Sequence, residues 1–366
     1  MKRIGINALY LIPGGVGGTE IYLRCLLEEF DRLDANAEFV VFTNHETDAS
    51  ILPPGARMRA VVEPVRASFR AWRILHEQTL LPLHAVTQKI DVLLNPGFTA
   101  PILCSCPQVT VFHDLQHKRH PEFFRWFDLP FWRLLLFWSV LASDYVIVAS
   151  AATRDDLLDF YPIEPEKLRL VPHGVDRRFF DLGWQPEANP YVLCVSTLHP
   201  HKNLERLVHV FARFRSRHPA FRLVLAGLKG FQTAEIERLI RFHGMETAID
   251  APGWIEREQL YRLYRGAQAF VYPSTFEGFG LPVLEAMAAG IPTACSGIEP
   301  MSGIAADAAL KFDPHNDDAL LDALDKLTMD EALRARLHSA GPVRARDFGW
   351  SVTARRTLDV LMEAAS

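Results

Sequence analysis

The 366-residue chain is 49% apolar and 23% charged, the balance of a soluble globular protein with room for two ordinary domains. Its net charge of −5 comes from acidic and basic residues mixed along the whole length, which excludes the basic stripe of a nucleic-acid binder. Five cysteines at irregular spacings exclude a disulfide framework: Cys194 and Cys295 lie in apolar runs as reduced core residues, and Cys104 and Cys106 lack the second pair of a metal site. The sequence runs from Lys2-Arg3 directly into a strand, and the expected location is the cytoplasm.

In chain order, Arg3–Leu9 reads as a strand, Pro13-Gly-Gly-Val-Gly-Gly18 as a glycine-rich turn, and Thr19–Phe30 as a helix with Ile21, Leu23, Leu26, Leu27 and Phe30 apolar. Such a turn normally approaches a phosphate. A nicotinamide fold is disfavoured, because the third fingerprint glycine would fall at Glu20 and no acidic residue ends the second strand, Glu38–Thr43. Further strands are predicted at 91–95, 108–112, 145–149 and 168–171, so that strands alternate with helices in a parallel α/β sheet. His113-Asp114 follows the strand ending at Phe112, where open sheets carry ligand groups. His117 and His120 lie near by, but without a carboxylate partner the three histidines do not define a metal site. The aromatic stretch from Phe123 to Ala142 is too short to span a bilayer. Two readings stay open for it: a buried core helix, or a membrane-surface helix with Trp126, Trp132 and Trp138 beside arginines, helped by Arg66–Arg73.

A Pro-containing stretch, 181–190, leads to a new strand at 191–196, and Thr197-Leu-His-Pro-His-Lys-Asn203 then opens a helix, Leu204–Phe214, with Asn203 as the expected cap. A lysine at that position suits a diphosphate. Leu223–Gly227 is another strand, and Gly253-Trp-Ile-Glu256 precedes a helix. The stretch Pro273-Ser-Thr-Phe-Glu-Gly-Phe-Gly-Leu-Pro-Val-Leu-Glu285 follows the buried strand Ala269–Tyr272, and Pro282 opens a helix that ends at Gly290. Glycine amides and a helix N-terminus favour phosphate, whereas Glu277 and Glu285 would repel it and suit sugar hydroxyls. A nucleotide sugar meets both demands; the plainer reading is a strand–loop–helix corner with a capping glutamate.

Pro273 to Cys295 resembles the signature of the retaining GT-B glycosyltransferases of family four, whose two glutamates are seven residues apart, as Glu277 and Glu285 are. The resemblance implies two Rossmann-like domains with parallel sheets facing across a cleft: 1–175 for the acceptor, 176–347 for the donor, and a C-terminal helix, 348–366, crossing back to the first. Catalytic roles fall by resemblance on His113 toward the transferred sugar, Lys202 on the donor phosphates and Glu277 on the sugar. Donor binding falls on Gly15, Gly17, Gly18, Lys202, Gly278, Phe279, Gly280, Leu281 and Glu285, with Glu285 on the ribose. Two positions depart from the family pattern: Thr197 and His201 stand where an arginine is common, and Ser302–Ile304 lacks a supporting glutamate.

The function implied is transfer of a hexose, mannose from GDP-mannose being preferred over other GDP- or UDP-sugars, to a saccharide or lipid-linked acceptor in polysaccharide, lipopolysaccharide or glycolipid assembly. No cofactor is expected, and with no Asp-x-Asp triplet no metal clamp is expected either. Peripheral contact at the inner face of the membrane is a further expectation. A nucleotide-sugar epimerase, a phosphorylase, or a non-catalytic nucleotide-sugar binding protein are the alternatives.

Overall fold

The computed structural model describes residues 1–15, 17–33 and 36–366. The chain divides into two compact units, Met1–Gly174 with Trp350–Ser366, and Val175–Gly349.

The first unit runs β1 (Lys2–Asn7), α1 (Gly18–Arg32), β2 (Ala37–Thr43), β3 (Arg59–Val62), α2 (Arg70–Thr87), β4 (Val92–Asn95), β5 (Gln108–Phe112), α3 (Gln116–Arg119), α4 (Leu129–Leu141), β6 (Tyr145–Val148), α5 (Ala151–Phe160) and β7 (Leu168–Leu170). All its strand pairs are parallel, in the order β3-β2-β1-β4-β5-β6-β7. β4 and β5 are buried along their whole length, as expected of strands covered by helices on both faces. Two apolar clusters fill the layers. One is built around Phe42, Leu81 and Leu93, the other around Phe112, Leu136, Val148 and Leu157.

The second unit runs β8 (Tyr191–Val195), α6 (Leu204–Arg217), β9 (Arg222–Ala226), α7 (Thr233–Phe242), β10 (Ile249–Gly253), α8 (Arg257–Gly266), β11 (Ala269–Tyr272), α9 (Leu281–Ala288), β12 (Thr293–Ser296), α10 (Met301–Ala305), β13 (Leu310–Phe312), α11 (Asp317–Met329) and α12 (Glu331–Ala345). Its sheet is also parallel, in the order β10-β9-β8-β11-β12-β13. The last helix, α13 (Trp350–Ala364), packs on α1 and β4–β6 of the first unit. There Trp350 stacks on His173, and the Thr353 hydroxyl donates to the Pro172 carbonyl at 2.8 Å.

In both sheets the strand order reverses beside the first strand, between β1 and β4 and between β8 and β11. Loops leaving the carboxyl ends of those two strands diverge to opposite faces, which opens a crevice at the switch point.

Candidate functional site

The switch point of the second unit brings Lys202 and Glu277 together. Lys202 ends a 3₁₀ turn, Pro200–Lys202, in the loop after β8; Glu277 lies in the loop after β11. The two loops are tied before any ligand arrives. The His201 carbonyl accepts from the Thr275 amide at 2.7 Å, the Ser274 hydroxyl at 2.9 Å and the Thr275 hydroxyl at 3.1 Å. Asn203, the expected helix cap, sits at φ 56° and makes no cap; its amide donates instead to the Pro273 and Pro314 carbonyls at 3.2 and 2.8 Å. That residue locks the two loops rather than the helix end.

Held this way, Lys202 Nζ lies 2.6 Å from Glu277 Oε1 and donates to the Tyr272 hydroxyl at 3.1 Å. Both partners of the ion pair are largely buried, so the pair is screened far less than a surface one. Burial and the neighbouring Glu277 charge raise the Tyr272 phenol well above its usual range, which keeps it a neutral hydrogen-bonding group. The loop then turns through Gly280, at φ 103°, into α9, where Pro282 occupies the first turn. Pro282 has no N–H, and the Val283 amide donates to the Gly280 carbonyl at 3.0 Å, so Leu281 supplies the first amide of the helix. Phe279 is buried against Phe348, which withdraws its ring from the loop surface.

Glu285, one turn into α9, belongs to a second group. Its Oε2 accepts from the Tyr264 hydroxyl at 2.8 Å, and burial raises its carboxyl to about 7. Behind it, Asp176 Oδ2 accepts from Arg257 and from the Tyr261 hydroxyl, both at 2.5 Å, and those hydrogen bonds hold Asp176 below the usual carboxylate range. The Phe179 ring packs edge-on against Tyr261 and Tyr264. Tyr264 and Tyr272 escaped the sequence reading. Each occupies an apolar position of its element, and only the fold turns its hydroxyl onto a glutamate or a lysine.

Arg206, which could have added charge at the phosphate position, is committed elsewhere, to Asp317 at 2.7 Å and the Pro314 carbonyl at 2.5 Å. At the departure around Ser302–Ile304, the exposed Glu299 carboxylate accepts from the Gly303 amide at 3.3 Å.

The remaining residues singled out lie in the first unit. Gly17, at φ 60°, and Gly18 open α1, and among the described residues, chain neighbours aside, no atom lies within 4 Å of where a Cβ would stand on either. Gly15 donates to the Ile12 carbonyl at 2.8 Å; Val16 lies outside the described residues. The Glu20 carboxylate accepts from the Gly14 amide at 2.7 Å, so an anion at this turn would meet an acidic neighbour. His113 is buried beyond β5. Its Nε2 lies 2.9 Å from the Pro96 carbonyl and its Nδ1 3.2 Å from His173 Nε2. Burial lowers it to about 4, so the ring is neutral at pH 7, donates through Nε2 to the carbonyl and accepts through Nδ1. Asp114 accepts from the Gln116 amide at 2.9 Å and shapes the loop. His117 bonds the Tyr161 hydroxyl at 2.7 Å and His120 pairs with Glu122 at 3.0 Å, so these histidines do not converge with His113.

Two doubly wound parallel sheets, each with its loops gathered at a switch point, define an α/β protein of two Rossmann-like units. Comparison with known proteins is consistent with that class. Residues 16–179 match the model described as Glycosyltransferase Family 4, and residues 178–344 match Glycosyl transferases group 1. The chain is 28% identical over 269 residues to O-antigen chain mannosyltransferase B of Escherichia coli, covering 69% of each protein. It spans only 54% and 28% of the length of two further curated relatives. Sucrose-phosphate synthase from Thermosynechococcus elongatus has the same fold, with 21% identity, 99% of each chain covered and a TM-score of 0.80. So does HepE of Anabaena, solved with UDP and glucose, with 18% identity, 99% of this chain and 100% of that one covered and a TM-score of 0.77. The chain is a GT-B glycosyltransferase and belongs to family four.

Proposed function

We propose that the protein transfers a hexose from a nucleoside diphosphate sugar to a hydroxyl of a saccharide or lipid-linked acceptor, with retention of anomeric configuration. The observation that carries this reading is the Lys202–Glu277 pair at the β8/β11 switch point, next to the glycine-bordered start of α9. A diphosphate takes Lys202 and the Leu281 amide that opens α9, which releases Glu277 to accept from hydroxyls of the transferred sugar. Glu285 accepts from the ribose. The acceptor oxygen bonds to the anomeric carbon as the bond to the diphosphate breaks, and the hydroxyl proton passes to the departing diphosphate. Charge grows on that leaving group, and the preorganised cation and amide act there. The role of His113 toward the sugar rests on family membership alone; neutral and fixed by two hydrogen bonds, it does not act as a base.

Mannose from GDP-mannose is the preferred donor, supported by the E. coli mannosyltransferase relative. UDP-glucose, bound in a HepE structure, is the rival donor, supported by a likeness of fold alone. Thermal shift against GDP-mannose, UDP-glucose and the free nucleotides, followed by assay of nucleotide release with a mannosylated acceptor, decides between them. Stabilisation and turnover with UDP-glucose alone would overturn the mannosyl assignment. No metal clamp enters this reading, because the chain has no Asp-x-Asp triplet; turnover is expected to be the same with added magnesium as in chelator.

The acceptor on this reading lies at the inner face of a membrane. No helix among the described residues is long and apolar enough to cross one. Contact through the first unit is supported by an exposed stripe on and beside α4, formed by Phe127, Phe131, Leu134, Trp138 and Leu141 at helical spacing. A second exposed face on α2 carries Trp72, Leu75, Leu80, Leu83 and Val86, and the Arg70 guanidinium, 4.4 Å over the Trp132 ring, joins the two helices.

A further inference from the structure

Where β3 ends, the chain places a carboxylate under the helix that follows. Glu63 is buried, its amide bound to the Thr43 carbonyl at 2.9 Å, so its backbone is fixed to the neighbouring strand. Two imidazoles of α2 converge on it. His76 Nε2 lies 2.9 Å from Oε2 and His84 Nδ1 lies 2.7 Å from Oε1. Eight residues of helix rise about 12 Å, yet the two ring centroids are 6.0 Å apart, so the side chains lean toward one another onto the same carboxylate. One ligating atom from each residue falls within 4.8 Å of the others.

The nitrogens available as ligands are the two already turned to the carboxylate, His76 Nε2 and His84 Nδ1. The set itself, two neutral nitrogens and one carboxylate oxygen, is the His₂Glu set that divalent zinc takes with a fourth position open, and imidazole suits first-row ions in general. Bonds of about 2.0–2.2 Å to such an ion need the three atoms roughly 3.4 Å apart, a spacing between the contacts of 2.7 and 2.9 Å and the 4.8 Å limit seen here. His84 is half exposed, which gives a hydrated ion a way in.

We propose that Glu63, His76 and His84 bind one divalent transition-metal ion, of which zinc is the best fit, as a structural clamp. The ion takes the place of the hydrogen bonds to the carboxylate, and each neutral imidazole carries its proton on the ring nitrogen that does not ligate. It fastens α2 to the end of β3, a four-residue edge strand that pairs only with β2. None of the three ligands is among the donor-binding residues, and the ion takes no part in the transfer.

The test is zinc titration of the full-length chain, stripped with chelator and dialysed, against a chromophoric competitor. Wild type is compared with Glu63→Gln, His84→Asn and a Cys104→Ser/Cys106→Ser double variant. The cysteines are included because their sulfurs lie 3.5 Å apart and are a rival zinc-binding pair. One equivalent bound at sub-micromolar Kd is expected, weakened about 100-fold or more by either ligand substitution and kept by the cysteine variant. Zinc should raise the Tm of wild type by several degrees and leave that of His84→Asn unmoved. Because His84 is half exposed, that variant folds even if Glu63→Gln does not. Binding weaker than about 10⁻⁵ M, binding that survives His84→Asn, or binding lost only with the cysteines would overturn the proposal.

Discussion

Lys202 and Glu277 neutralise one another before a donor is present, so removing either leaves the other exposed to the wrong partner. Lys202→Ala should lower kcat by about 10²–10³, the usual loss of one preorganised donor to a leaving group. It also leaves an uncompensated carboxylate facing the diphosphate. Adding Glu277→Gln to Lys202→Ala should therefore recover about tenfold in donor KM, a non-additive cycle that steady-state kinetics of the four proteins would reveal. Strict additivity would sink the pairing as a functional feature. Glu285 gives a pH signature. The folded protein holds its proton to about pH 7, whereas an unfolded chain releases it near 4.3. Between those values the folded state binds more protons. The stabilising term is thus complete below about pH 4.3 and lost as pH rises through 7, at most about 4 kcal/mol of it. Glu285→Gln should flatten that slope in denaturant titrations at pH 5, 6, 7 and 8. Donor affinity in wild type should instead rise through pH 7, as the carboxylate that accepts from the ribose forms.

At the scale of elements, the start of α9 depends on one glycine. Gly280 stands at φ 103°, and a Cβ there would meet Met301 Cγ at 3.0 Å. Gly280→Ala should cost about 1–3 kcal/mol in backbone strain and tilt the Leu281 amide away from the diphosphate. Lower Tm together with a raised donor KM is the expected result; an unchanged KM would detach α9 from donor binding. Some of the elements not read from the sequence are short edge strands. β3 has only four residues with exposed ends, and β10 contains Pro252, which only an edge strand tolerates. The aromatic stretch is not a helix buried on all sides. α4 buries Leu135, Leu136, Ser139 and Val140 on one side and leaves an equally apolar side exposed. An evenly apolar composition hides that division.

For the whole molecule, the exposed apolar faces of α2 and α4 exceed what single scattered surface residues would explain. Trp126 is 83% exposed, with Arg125 beside it, and Arg66 and Arg70 flank the start of α2. If this surface meets lipid, the protein should co-sediment with anionic phospholipid vesicles, less so at high salt. A Trp126→Ser/Phe131→Ser/Trp138→Ser variant should lose that binding and still turn over a water-soluble acceptor. Wild-type protein that stays in the supernatant at low salt would end the membrane reading.

Sequence alone settled the alternating parallel α/β plan, since apolar runs such as Gln108–Phe112 and Ala269–Tyr272 can be stable only when covered on both faces. It also determined the glycine-bordered corner at 273–285, because such local chemistry is written in consecutive residues. Partnership across distant positions was not legible. Lys202 and Glu277 are 75 residues apart, and Tyr264 and Glu285 are 21 apart. Asn203 has the composition of a cap, yet the fold spends its amide on two carbonyls of other loops. Glu63 and His76, 13 residues apart in a stretch without a motif, meet only because β3 lies at the sheet edge with α2 over its end. Spacing reports which side chains share an element's face; which faces meet, and which buried polar atoms must then find partners, is decided by the packing of the whole sheet.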